Sequence, residues 1–375
     1  MHIAIISSEF PPDIGGVETY AFEYSKALVS LGHKVTVYTC RHRQGELDVP
    51  GIVIKPILTT HLHQDRRLLA NEKADAWHAM NAAYACLVED KPGLIVSVHG
   101  NDFLKPYLPL VQPDWKHWPL GWRLEPHLSR WFRNLWIRRT ALLMGKSLPK
   151  LQHILSNSRY TEGALLGLFP ECQGRTETAY VGVAEQFFSV EPQPCRDGIA
   201  RLLTVCRLSE PRKNIEPVLR ALARLESEFP FQYTIVGDGK DRARLESICH
   251  SLGLGSKVHF AGQVTQQELL EQYALADLFI LTSSIIPNSH EGFGIVYLEA
   301  AASGVPSLAA RLAGAAEAVK DGVSGMFVAE PEEKAIEEAL RQFLTGSKKF
   351  DADQCRAFAS SFTWQRVVER ALPYY

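Results

Sequence analysis

The sequence predicts an α/β protein built from two doubly wound halves in tandem. Three observations carry this reading. The chain has 375 residues, more than one hydrophobic core comfortably serves, so about two domains are expected. Short apolar runs alternate with amphipathic helical patterns, first from residue 2 and again from near residue 200. Strand, helix, strand order implies right-handed crossovers and parallel sheets. Between the two series lies "VEPQPCRDG", residues 190–198, with prolines, charges and no period, which reads as a linker.

In chain order, "HIAIISS" is a buried strand. "VETYAFEYSKALVSLG" is an amphipathic helix stopped by Gly32, and "KVTVYT" is the next strand. The pattern continues less regularly to "GLIVSVHG", a strand predicted to end at His99, and to "HILSNS". The second series is cleaner. "RLLTVCRL" is a strand, "NIEPVLRALARLESEF" a helix, "FQYTIVGDG" a strand and "RARLESICHSLG" a helix. "KVHFAG", "DLFILTS" and "VPSLAA" follow as strands. In open parallel sheets ligands bind beyond the carboxyl ends of the strands, so the polar residues at those ends are the candidates for function.

Bulk properties narrow the class. A formal net charge of -2 gives no global reason to expect nucleic acid. Seven cysteines without a Cys-x-x-Cys pair read as reduced, buried thiols of a cytosolic protein. "MHIAIISSEFPP" has no basic leader before an apolar core, and no apolar run reaches spanning length, so any membrane contact is expected to be peripheral.

Four strand ends carry chemistry. After the first strand, Gly15-Gly16 gives a loop without side chains ahead of a helix whose N–H groups suit an anion, although a plain loop and cap would look the same. No Gly-x-Gly-x-x-Gly follows that strand, and "YTCRHR" offers no acidic residue for a ribose, which counts against an oxidoreductase. His99, in "VSVHGND", sits where hydrogen bonding or proton transfer is possible, with Gly100, Asn101 and Asp102 beside it. Arg207 and Lys213, in "CRLSEPRKN", are two cations that suit a diphosphate unless they are solvated surface charge. The fourth is "SIIPNSHEGFGIVYLEA". Its helix is predicted to begin near Gly294, with N–H groups at Phe293, Gly294 and Ile295 facing an anion. Glu291, ahead of that helix, can accept hydrogen bonds from sugar hydroxyls. Glu299, inside it among apolar residues, is costly unless satisfied, and a ribose diol would satisfy it. A sugar, a diphosphate and a ribose in a row describe a nucleotide sugar.

"EGFGIVYLEA" resembles the Glu-x7-Glu motif of retaining family 4 glycosyltransferases, which have the GT-B fold. "GGVE", "HGND", "RLSEPRKN", "VGDG", "FAGQV" and the "SGVP" turn extend the likeness along the chain in the family's order. The resemblance implies two Rossmann-like doubly wound domains facing a central cleft. Residues 1–190 would form an acceptor-binding domain and 199–361 a nucleotide-sugar-binding domain, with a terminal helix, 362–375, packing back onto the first. It implies that Arg207 and Lys213 bind the donor diphosphate, Glu291 the donor-sugar hydroxyls and Glu299 the ribose. It places His99 at the reacting sugar, Gly15, Gly16 and Gly237 on the donor side, and Glu18, Asn101 and Asp102 on the acceptor side. Two departures stand out. Ala313 replaces the first glycine of the usual Gly-Gly-x-x-Glu, with Gly314 and Glu317 kept, and Asn214 replaces glycine after Lys213.

The expected activity is transfer of a hexose from a UDP- or GDP-linked donor to a hydroxyl of a glycan, glycolipid or small molecule, with retention and with neither metal nor cofactor. The lone Asp-x-Asp, Asp351 to Asp353, reads as a helix cap. Phosphorylase-like or epimerase chemistry on the same fold, and a non-catalytic nucleotide-sugar binder, are the alternatives. Five of the seven tryptophans lie in residues 115–139, and apolar positions recur at helical spacing from Leu128 beside Arg130, Arg133, Arg138 and Arg139. That stretch either meets an anionic membrane or lipid-linked acceptor, or packs its apolar stripe on the sheet.

Overall fold

The computed structural model describes residues 1–12, 15–40, 49–106, 126–193 and 198–375, without the side chains of 126–134. Met1–Val181 and Trp364–Tyr375 form one compact unit, and Gly182–Thr363 a second.

The first unit is a parallel seven-stranded sheet. Its strands are β1 (His2–Ile6), β2 (Lys34–Cys40), β3 (Ile52–Leu58), β4 (Ala76–Ala79), β5 (Ile95–Val98), β6 (His153–Ser156) and β7 (Thr176–Thr178), in the order β3-β2-β1-β4-β5-β6-β7. Its helices are α1 (Gly16–Ser30), α2 (Leu62–Leu69), α3 (Pro126–Ser147) and α4 (Arg159–Leu168). Ile3, Ala4, Ile5 and Ile6 are all buried, as a central parallel strand covered on both faces requires.

The second unit holds β8 (Ala200–Val205), β9 (Phe231–Val236), β10 (Val258–Gly262), β11 (Leu278–Leu281), β12 (Ser307–Ala310) and β13 (Gly325–Val328), in the order β10-β9-β8-β11-β12-β13. Helices α5 (Ile215–Leu225), α6 (Arg242–Ser251), α7 (Gln266–Leu275), α8 (Ile295–Ala302), α9 (Ala315–Ala318), α10 (Glu333–Leu344) and α11 (Ala352–Ala359) accompany it. In each sheet the strand order reverses beside one central strand, between β1 and β4 and between β8 and β11. A crevice opens at such a point because successive crossovers leave it on opposite faces.

Several elements differ from the sequence reading. Strands β3, β4, β7 and β13 were not distinguished. β4 and β13 have four residues each, and β7 is the polar edge segment "TET", so none of these three offers enough apolar period to read; β3 is longer, but Lys55 and Pro56 interrupt its apolar run. β5 ends at Val98, one residue before His99. Residues 182–190, assigned from sequence to the N-terminal domain, belong to the second unit. There the Val183 N–H donates to the Phe362 carbonyl at 2.8 Å, and the Ser303 hydroxyl donates to the Phe187 carbonyl at 3.4 Å. The last helix, α12 (Trp364–Ala371), buries Trp364, Val367, Val368 and Ala371, and Trp364 stacks edge-on to Tyr20 of α1 at 5.1 Å. Part of the proposed linker, 194–197, and much of the Trp-rich stretch lie outside the described residues. Asp351 caps α11 by accepting from the Gln354 N–H at 2.9 Å. Cys40, Cys86, Cys172, Cys206, Cys249 and Cys355 are free thiols. No described helix is long and apolar enough to cross a membrane.

Candidate functional site

The second unit gathers its charge at the point of strand reversal. The chain leaving β8 makes a tight turn, Pro211–Lys213, and enters α5; the chain leaving β11 loops into α8. Arg212 and Lys213 from the first loop meet Glu291 from the second. Lys213 Nζ donates to Glu291 Oε2 at 2.6 Å, Arg212 Nη1 donates to the same oxygen at 3.1 Å, and the Ser283 hydroxyl does so at 3.0 Å. Among the described residues all three bonds land on Oε2 and none on Oε1.

These three charged groups are almost wholly buried. Burial alone would push the Glu291 carboxyl up, but Lys213 and then Arg212 outweigh it and hold the group at about 2. Arg212 also pairs with Glu210 at 2.6 Å and donates from Nε to the Ser289 hydroxyl at 3.1 Å. The sequence reading passed over Arg212 and weighed Lys213 between the diphosphate and solvated surface charge. In the structure Lys213 is held by Glu291, and Arg207 is the exposed cation of the same loop, two residues beyond the end of β8. A signal for Arg212 was present in "PRKN", since a buried carboxylate needs its charge matched.

Asn214, where the family has glycine, lies at φ 57, in the left-handed region. Its side-chain amide donates to the Thr282 carbonyl at 2.6 Å and to the Ser284 hydroxyl at 2.7 Å. It thus adopts the conformation that glycine would and ties the β8 loop to the β11 loop. Asn214→Ala should cost about 2–3 kcal/mol, from left-handed strain and two lost bonds. Asn214→Gly should recover the backbone part, and denaturant unfolding of both variants checks this.

Glu299 sits inside α8 and receives one bond, from the Tyr273 hydroxyl of α7 at 3.0 Å. Burial pushes its carboxyl up to about 7, and that hydroxyl only partly opposes the rise. So the two glutamates of one motif are driven apart, one fixed as an anion and one poised near neutrality. Tyr273 was not foreseen. Phe293 is buried, Gly294 caps α8 at φ 91, and Ile295 is the first helical residue. A Cβ on Gly314 would lie 2.1 Å from the Gly292 carbonyl oxygen, and the Gly314 N–H donates to the Glu291 carbonyl at 3.0 Å. Gly314 therefore lets the β12 loop press against the Glu291 loop. Ala313 beside it takes φ 49, which explains why glycine is at home there. Gly237 has a similar packing role, because a Cβ there would meet the Cys206 carbonyl oxygen at 2.0 Å. Its bare backbone serves contact between two strand-end loops.

In the first unit, Gly15 is the N-cap of α1, and a Cβ on Gly16 would meet nothing within 4 Å. Glu18 is buried in the first turn. His99 follows β5, its ring edge-on to Tyr20 at 4.6 Å. Burial lowers its pKa, Asp102 partly opposes this, and the ring bonds to the Met80 backbone. Among the described residues Nε2 has no hydrogen-bond partner. Asp102 uses both oxygens on backbone, accepting from the His99 N–H and the Ala82 N–H at 2.9 Å each. It holds the His99 turn in place. Asn101 lies beside it, half-buried, and its carbonyl accepts from the Lys105 N–H.

Known proteins match this chain along most of its length. The family described as Glycosyltransferase Family 4 matches residues 14–187, and that described as Glycosyl transferases group 1 matches residues 192–358. The GDP-mannose-dependent alpha-(1-6)-phosphatidylinositol monomannoside mannosyltransferase of Mycolicibacterium smegmatis is 26% identical, over 92% of this chain and 90% of that protein. The D-inositol 3-phosphate glycosyltransferase of Streptosporangium roseum is 25% identical, over 100% and 91%. Among solved structures, sucrose-phosphate synthase from Thermosynechococcus elongatus superposes with a TM-score of 0.78 at 18% identity, covering 100% of this chain and 98% of that one. Anabaena HepE in complex with UDP-glucose gives 0.73 at 19%, over 100% and 98%.

Proposed function

The chain is a family 4 glycosyltransferase with the GT-B fold and acts on nucleotide sugars; from that premise we propose that it is a retaining, metal-independent hexosyltransferase. The observation that carries this is the buried Arg212–Glu291–Lys213 cluster beside the start of α8, with Glu299 one helical stretch further on. Arg207, Lys213 and the N-terminus of α8 supply the positive potential that a divalent ion supplies elsewhere, and they stabilise the departing diphosphate. Glu291 Oε1 accepts from the donor sugar. In the step itself the bond from the anomeric carbon to the diphosphate oxygen breaks. The acceptor oxygen bonds to the anomeric carbon on the same face, and its proton passes to the departing phosphate. The relatives named for GDP-mannose and the structural neighbour holding UDP-glucose make those two the first donors to try.

Hydrolysis or transfer from GDP-mannose and UDP-glucose should persist in excess chelator, and product NMR should show the donor's anomeric configuration. His99→Ala should slow turnover by about 10²-fold or more while nucleotide affinity changes little. Metal-reversible loss of activity, or an inverted product, would overturn the reading.

Peripheral membrane contact is a second proposal, favoured by one face of α3. Leu135, Leu142 and Leu143 are 40%, 65% and 48% exposed, and they share that face with the exposed Arg138, Arg139 and Lys146. The opposite face buries Thr140, Met144 and Ser147. Exposed leucines set among cations suit an anionic lipid surface. Vesicles containing anionic lipid should bind the protein at low salt and release it at high salt. Leu142→Ser with Leu143→Ser should abolish binding without changing the unfolding temperature.

A further inference from the structure

A second side chain at the His99 strand end has the same unmet need. Val98 and Ser156 are registered partners of β5 and β6. His99 and Asn157 each lie one residue beyond, and the Asn157 N–H still donates to the Val98 carbonyl at 3.3 Å. The ladder therefore carries the two residues to adjacent positions at the same end of the sheet. Asn157 is only 7% exposed, and its Oδ1 is buried with no hydrogen-bond partner among the described residues. His99 Nε2 is likewise buried without one among those residues. A buried polar atom left unbonded is costly, and two at adjacent strand ends in one unit point to something that completes them.

The chemistry of that something follows from the atoms. Asn157 Oδ1 can only accept. The His99 ring, neutral because burial lowers its pKa and bonded to the Met80 carbonyl, presents its lone pair at Nε2. Two acceptors on adjacent strand ends call for two O–H donors and repel a phosphate or carboxylate. We propose that Asn157 and His99 together form a hydroxyl-binding subsite for an uncharged vicinal diol of a sugar or polyol, with Asn157 as a binding residue. The inference rests on the glycosyltransferase reading for its setting. The diol belongs either to the donor's sugar or to the acceptor, and both present the same chemistry.

The test does not need turnover. Saturation-transfer NMR on the full chain would use D-mannose, D-glucose and myo-inositol as probes, with inorganic phosphate as competitor. At least one polyol should bind, and phosphate should not displace it. Asn157→Leu should weaken that binding about five- to tenfold, the loss of one hydrogen bond. Asn157→Asp, which keeps an acceptor oxygen in place, should retain most of it, with thermal unfolding confirming that both variants fold. Displacement of the polyol by GDP-mannose or UDP-glucose, but not by GDP or UDP, would assign the diol to the donor. Persistence beside bound nucleotide sugar would assign it to the acceptor. Absence of polyol binding, equal binding in Asn157→Leu, or competition by phosphate would each overturn the subsite. Loss of the transferase reading would show instead as failure to turn over any nucleotide sugar while polyol binding persists.

Discussion

Glu291→Ala should lower the stability of the protein by about 3–5 kcal/mol and remove transfer activity. The size of the effect comes from what is left behind. Arg212 and Lys213 are both buried, and the carboxylate is the group that Lys213 Nζ and Arg212 Nη1 share. Removing one partner of a buried pair leaves uncompensated charge in a poorly solvated place. One signature separates this from general damage. A nucleoside diphosphate brings negative charge to the same cations, so GDP or UDP should raise the unfolding temperature of Glu291→Ala more than that of the parent protein. The acid limb should change as well. The folded carboxyl sits at about 2, below its ordinary 4.5. Its stabilisation is therefore present above about 4.5 and is lost as pH falls toward 2, and Glu291→Gln should flatten that part of the curve. Unchanged stability, with no extra response to nucleotide, would mean that the cluster is not the diphosphate site.

Glu299→Ala should weaken nucleotide affinity by about one to two decades, the worth of charge-assisted hydrogen bonds to a ribose. The pH dependence is more telling. Burial raises this carboxyl to about 7, and the ionised form, with both oxygens charged and free of protons, is the stronger acceptor for the two hydroxyls of a diol. Nucleotide binding should therefore tighten as pH rises from 6 to 8 and should release a proton near neutrality. Calorimetric titration in two buffers of different ionisation enthalpy would count that proton. The sign for stability runs the other way from Glu291. The folded value lies above the ordinary 4.5, so the contribution is full below about 4.5 and is lost as pH rises through about 7. Glu299→Gln should make the free protein less sensitive to pH over that window. A pH-independent affinity would remove Glu299 from the ribose.

The central strands were legible because a buried parallel strand reads as an unbroken apolar run, as "HIAII" and "LFIL" do. The edge strand "TET" carries no such mark, because it has three residues and none of them is buried. At the site, Glu291, Glu299 and Lys213 stand in a motif and could be named. Their pairing could not, because Lys213 and Glu291 are 78 positions apart and meet only across the strand reversal. Tyr273 and Asn157 were invisible for a related reason. A lone tyrosine in a helix or a lone asparagine after a strand becomes functional only through what the fold sets beside it.

The first unit is interrupted in sequence: the second, residues 182–363, is inserted before its last piece, Trp364–Tyr375. During synthesis the inserted unit emerges as one continuous segment and can fold as soon as it clears the ribosome. The unit begun first must wait for the final dozen residues. Until then Tyr20 lacks the Trp364 edge, and Tyr24 and His78 lack the Tyr375 hydroxyl that bonds both. The wall of aromatic side chains behind His99 thus closes only after the inserted unit has been made, and a nascent chain stalled before residue 364 should hold a folded inserted unit and an unfinished first one.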